Sequence, residues 1–274
     1  MTSETTRDST ALWLYGRVGL VCLLALLSAF FSKLSLPAAL LSLLVFLSLP
    51  NDAARALRIA LALAGLIAVV SLVRFVVTEA MPGMVQGGRA AAAQSAISRL
   101  REIVFAEDTL RKHAYIDADR DGVGSAALLG ELSGMDDVRG LGKKFDPPIL
   151  GDQLRPVVAT KLGPAAASAG YLVIVCLPTR SGGWTARAGE PIDEERAERH
   201  YFGYAWPDAA AYGMRSAYAV DQDERILVSS NIEHDQTRWA GPNFPPPCDA
   251  ALDSASGFRP WRDKKPRSTL PGDR

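Results

Sequence analysis

Apolar and polar positions follow two regimes along this chain. From residue 12 to residue 77 charges are sparse, and beyond that the sequence is an ordinary mixture. Three apolar segments stand out in the first regime. Leu12 to Phe31 is interrupted only by Arg17 and is long enough to cross a bilayer as a helix. Leu34 to Leu49 is shorter and carries Pro37 in its first turn, where proline is tolerated. Ile59 to Val77 is again full length, with Arg74 near its far end, where the side chain can snorkel to the interface. Lipid offers no partner for backbone amides, so segments of this kind are helical. The pattern predicts three transmembrane helices, over about 12–31, 34–49 and 59–77.

The second regime starts with Met81-Pro82-Gly83 and Gly87-Gly88, read as a kink. From Arg89 to about His113 the apolar residues Ile97, Leu100, Val104 and Leu110 recur at helical spacing, and Arg99, Glu102, Asp108, Arg111 and Lys112 supply a wet face. A short helical run around Ala126 to Leu132 follows, then a loop rich in Gly and Pro up to Gly170. Four strands are predicted, at Tyr171–Leu177, Tyr201–Trp206, Met214–Val220 and Arg225–Ser229. In the second, Phe202, Tyr204 and Trp206 alternate with Tyr201, Gly203 and Ala205; in the third, Met214, Tyr218 and Val220 share a face. Asp221-Gln222-Asp223-Glu224 reads as the turn between the last two strands. Pro, Gly, Ser and charge then dominate, which predicts a disordered basic tail over 236–274.

The segments Ala91–Lys112, the loop DADRDGVGSAALLGEL, the PPIL at Pro147–Leu150, GYLVIV at Gly170–Val175 and, above all, Tyr201–Ser230 occur in a telling order. Together they resemble the type IV pilin-like and pseudopilin-like proteins of bacteria, in the form found in planctomycete- and myxobacterium-type genomes. The resemblance implies an α+β domain over 81–235, an amphipathic helix packed on a four-stranded antiparallel sheet. It also implies a non-enzymatic structural or interaction role. True prepilins carry a peptidase-cleaved glycine followed by phenylalanine and a nearby helix glutamate. Here the glutamate's position falls near Gly65, no Gly-Phe pair stands upstream, and two further apolar segments precede the helix. The expectation is therefore a pilin-like domain on a permanent anchor, 1–80, that is not cut by prepilin peptidase.

Composition narrows the partners. Thirty basic and thirty acidic residues cancel, so no overall field attracts nucleic acid. Membrane lipid is the partner the anchor implies, with other envelope proteins as the partners of the domain. Arg55 and Arg58 place the 50–58 loop in the cytoplasm by the positive-inside rule. Three crossings then put the N-terminus inside and the C-terminal domain outside the cytoplasmic membrane. The first segment is too long for a cleaved signal peptide, and no small-x-small site follows before Lys33. Outside the anchor stand Cys176 and Cys248; if the domain is external, oxidising surroundings permit them to pair.

The sharpest chemical motif is Asp117-x-Asp119-x-Asp121-Gly122, the first half of a calcium loop. Calcium is the single cofactor the chain proposes. The twelfth position, which should be a bidentate Glu, is Leu128, and Glu131 lies three residues further on. The alternative is a solvated turn in which the carboxylates cap local amides. His113, His200 and His234 show no metal spacing, and no G-x-S-x-G elbow nominates a nucleophile, so no enzyme is expected. Tyr201, Phe202, Tyr204, Trp206 and Tyr218 read either as a ligand or glycan surface or as core packed on the amphipathic helix. The first option, with the Asp loop as the other receptor site, makes the rival function a membrane-tethered ligand-binding or sensory module.

Overall fold

The computed structural model describes residues 55–117, 120–208 and 213–261. The predicted helices over 12–31 and 34–49 lie outside the described residues. The chain divides into two units, Met1–Gly87 and Gly88–Arg274.

In the first unit, α1 spans Arg55–Phe75 and leads through a π-helical turn, Val76–Ala80, into the start of α2, Met81–Lys112. The wide turn falls just before Pro82, which has no amide to donate to the preceding turn, and it accommodates the ring without ending the helix. The predicted Pro/Gly kink is therefore helical backbone, and α2 starts at Met81 instead of Arg89. Ile59, Leu63, Leu66, Val70, Val73 and Val77 are all exposed, and the few hydroxyls bond back to their own helix: Ser71 Oγ donates to Ile67 O and Thr78 Oγ1 to Arg74 O, both at 2.8 Å. This is a helix long and apolar enough to span a membrane, with almost none of its apolar window buried. A core helix of a soluble protein would bury that surface.

The second unit is α+β. Its helical part of α2 buries Ile97, Leu100, Ile103, Val104, Glu107 and Leu110, the stripe the spacing predicts with one carboxylate added. A single turn, α3 (Leu129–Leu132), follows. The strands are β1 (Pro156–Ala159), β2 (Pro164–Ser168), β3 (Tyr171–Pro178), β4 (Trp184–Thr185), β5 (Phe202–Pro207), β6 (Ala217–Asp221), β7 (Ile226–Ser229), β8 (Ile232–Glu233), β9 (Gln236–Thr237) and β10 (Arg259–Pro260). The one-turn helix α4 (Glu194–Ala197) precedes β5. The main sheet runs β1-β2-β3-β5-β6-β7-β10, every pair antiparallel, with β4 added to the end of β3.

All four predicted strands are present, but the sheet is wider than the four expected. β1 and β2 were hidden by alanine and by a proline at each first position, residues that carry little strand signal although an edge or first position tolerates them. The predicted turn at Asp221–Glu224 closes β6 onto β7: Glu224 N donates to Asp221 O, and Asp221 Oδ1 accepts the amides of Asp223 and Arg225.

Both faces of the sheet are covered. Tyr171, Val173, Val175 and Leu177 of β3 join Tyr201, Tyr218 and Val220 against α2. Leu172, Ile174 and Cys176 join Phe202, Tyr204 and Trp206 on the opposite face. That second face is covered by the segment predicted to be a disordered tail. Residues 236–261 return across it, placing Trp239, Cys248, Ala250 and Phe258 on the aromatics. Low hydrophobicity hid this segment, because a few well-placed contacts hold it. Tyr204 Oη donates to Cys248 O at 2.9 Å and accepts Ala251 N at 3.0 Å; Trp206 Nε1 donates to Gly241 O at 2.9 Å. Asn231 bonds Trp239 through both its amide atoms, at 2.7 Å each. A disulfide joins Cys176 to Cys248. The rest of the predicted tail, 262–274, lies outside the described residues.

Candidate functional site

The loop between α2 and α3 puts Asp117 and Asp121 on one turn. The Asp117 carboxylate accepts the amides of Asp121 and Gly122, both at 3.1 Å, and Asp121 Oδ1 accepts Val123 N at 2.8 Å. This is the local-cap alternative of the calcium motif, with Gly122 at a left-handed φ of 89°. Asp119 lies outside the described residues. Glu131, the carboxylate nearest in sequence to the missing bidentate ligand, is buried and its oxygens are bonded to Leu128 N and Arg139. No group of three or more potential ligands is gathered among the described residues.

Glu131 instead belongs to an ionic cluster inside the second unit. Its Oε2 accepts Leu128 N at 2.8 Å, capping α3, while its Oε1 accepts Arg139 N at 2.9 Å and Arg139 Nε at 3.0 Å. Arg139 Nη1 reaches both oxygens of Glu194 at 3.1 Å, and its Nη2 donates to Ala126 O. One guanidinium thus ties α3, the 126–128 backbone and α4 together, using the forked donor geometry that lysine lacks. The charged run before β5 forms a helical turn: Asp193 caps α4 by accepting Arg196 N, and one of its acids, Glu194, points inward.

Beside this cluster lies Glu107, fully buried on α2. Its Oε2 accepts Ala127 N at 3.0 Å, and its Oε1 has no hydrogen-bond partner. Burial dominates its titration and pushes the carboxyl up to about 8, against the smaller opposing effects of the Ala127 amide and the nearby Arg111. Tyr201 is buried over the same region with its hydroxyl unpartnered, and burial raises its titration too. Arg111, assigned by sequence to the wet face, lies with its guanidinium 5.7 Å from the Tyr201 ring centroid. Glu107 was legible in principle, since it occurs at helical spacing from Ile103 and Leu110 on the buried stripe. Arg139 carried no local signal.

The other singled-out residues are placed apart. His113 follows the end of α2 with its ring 5.4 Å from that of Tyr115, His200 is exposed before β5, and His234 sits in the β8–β9 hairpin with φ 48°. The aromatic cluster is split between the two cores and buried, as its core reading expects, and one member, Phe202, also lines a groove with Trp184 and Phe258.

Comparison with protein-family models, with curated proteins and with solved structures found no match to this chain. Its chemistry is therefore read from its own geometry.

Proposed function

We propose that this chain is a membrane-anchored extracytoplasmic structural or interaction protein, non-enzymatic, with a pilin-like head on a multi-helix anchor in the cytoplasmic membrane. The observation that carries this reading is the Cys176–Cys248 disulfide in a chain that also contains a membrane-length apolar helix. Disulfides persist in oxidising compartments, which the outer side of that membrane offers. The sequence resemblance to pilin-like domains agrees with an amphipathic helix laid on an antiparallel meander. The buried ions support a scaffold role, because Glu131 and Arg139 are spent on the head's own backbone.

Reporter fusions test the compartment. Alkaline phosphatase fused beyond Trp261 should be active, and the same reporter fused near Arg55 inactive. The reverse pattern would put the head in the cytoplasm and remove the disulfide argument. N-terminal sequencing of the extracted protein should begin near Met1; a start within 50–65 would show cleavage as a prepilin.

The rival reading, a membrane-tethered ligand-binding module, has one feature of the head in its favour: a groove beside the start of β5.

A further inference from the structure

Between the start of β5 and the returning C-terminal segment, a groove of about 520 Å³ remains open. Its volume falls in the range that small-molecule sites occupy. One wall is aromatic: Trp184 of β4 lies against Phe202 with ring centroids 4.9 Å apart, and Phe258 also lines the groove. Phe258 is itself fixed, stacked on Trp239 at 5.4 Å and 14°. The other wall is polar. Gln222 lines it, and its Oε1 has no hydrogen-bond partner. Arg196 is committed to no carboxylate among the described residues, its guanidinium lying 5.8 Å from the Trp184 ring centroid. The exposed His200 stands at the rim.

The remaining charges in the groove are already satisfied. Asp221 is buried and accepts Arg225 Nε at 2.9 Å, and Arg225 also pairs with Asp223 at 2.9 Å. The unused chemistry is thus one cation, one unpartnered acceptor and a rigid apolar wall. A bare anion would leave the wall and Gln222 unused. An apolar ligand would use neither Arg196 nor the Gln222 amide. A sugar ring presents a C–H face to the aromatic wall and hydroxyl donors to Gln222, and a carboxylate on that ring meets Arg196.

We propose that this groove is a binding site for a saccharide bearing a carboxylate, with Trp184 and Phe258 as its aromatic lining, Gln222 as hydroxyl acceptor and Arg196 as carboxylate partner. The inference rests on the ligand-binding reading alone. Its failure leaves the anchor and compartment tests untouched, and theirs leaves it untouched.

Two probes that differ only in the carboxylate decide it: methyl β-glucuronide and methyl β-glucoside, titrated into the full-length protein in detergent and followed by ligand-observed NMR. The glucuronide should bind about tenfold more tightly, the scale of one charge-assisted pairing. Arg196→Gln should remove the glucuronide's advantage over the glucoside. Gln222→Leu, which stays apolar and similar in volume, should weaken both sugars alike. Thermal melting of each variant shows whether the head is still folded, and acetate serves as the bare-anion control. Equal affinity for the two glycosides would overturn the proposal. So would an acetate affinity matching the glucuronide's, binding that survives both substitutions, or no binding of either sugar.

Discussion

The Glu107 carboxylate accepts the backbone amide of Ala127 at 3.0 Å while wholly shielded from water. The contact ties the last turns of α2 to the segment that enters α3, yet it leaves Oε1 without a partner. Burial holds this carboxyl at about 8 in the folded protein against an ordinary value of 4.5. Between those limits the folded state binds more protons than the unfolded state. Stability conferred by this group is complete below about 4.5 and is lost as pH rises through 8, at roughly 1.4 kcal/mol per pH unit. Glu131, Arg139 and Arg111 are the charged groups that face it. Glu107→Gln should flatten this slope and stabilise the protein at pH 8 relative to wild type, measured as chemical melts across that window. Parallel slopes in the two proteins would show that Glu107 is not protonated in the fold.

Arg139 makes the second test. Its guanidinium is mostly covered and its two partners more so, with side-chain exposures of 18% for Arg139, 2% for Glu131 and 11% for Glu194. Removing one partner of a buried ionic group strands the other, which costs about 3–5 kcal/mol. Arg139→Met should therefore destabilise the head severely, and Glu131→Gln should do less harm because the amide oxygen can still accept Leu128 N. Urea melts of both variants give the comparison. A loss below about 1 kcal/mol for Arg139→Met would place the cluster among ordinary surface pairs.

How far the fold was legible depended on whether the signal was local. Tyr201 to Ser229 was readable because period-two alternation and an Asx turn lie within thirty residues or so of one another. α2 was readable because Ile97, Leu100, Val104 and Leu110 repeat at helical spacing. The covering segment was readable only through Cys248, a possible partner of Cys176: Trp239 acts through Asn231 and Cys248 O accepts Tyr204 Oη, and nothing in the segment's own composition marks those contacts. The same holds for the site residues. Asp117 was visible as a motif, and its role as a local cap was one of the two readings open to it. Arg139 sits in an unremarkable polar stretch, and its importance comes from what α3 and α4 bring to it. Trp184 and Phe258, which are far apart in sequence, meet at one groove only because the C-terminal segment returns.

Gly203 of β5 lies directly against Leu100 and Ile103 of α2. A Cβ there would stand 2.9 Å from Val220 Cγ1 and 3.3 Å from Leu100 Cδ2. Val220 is the cross-strand partner of Gly203 and is β-branched, so it has little freedom to turn aside. Gly203→Ala should cost about 1–3 kcal/mol by overpacking, despite alanine's better intrinsic fit to regular structure. Pairing it with Leu100→Ala should recover part of that loss, and a double-mutant cycle measures the coupling. Strictly additive losses would mean that the helix does not press on this position.

Cys176 and Cys248 supply the last test, and it separates the two halves of the second core. Cys176 sits in the central strand β3, and Cys248 in the segment that covers the sheet, 72 residues away. Loop-closure entropy for a span of that length is worth about 4 kcal/mol. The bond does more than shorten the unfolded chain, because Cys248 O is also the acceptor for Tyr204 Oη. Replacing both cysteines by alanine should lower stability by an amount of that order. The loss should fall first on residues 240–261, so their amides should exchange faster than those of β3 and β5. A uniform increase in exchange across the sheet would instead mean that the covering segment and the meander unfold as one unit. In the extracted wild-type protein, denatured without reductant, thiol labelling should leave both cysteines unmodified. Free sulfurs at both positions would remove the bond and, with it, the argument for an oxidising compartment.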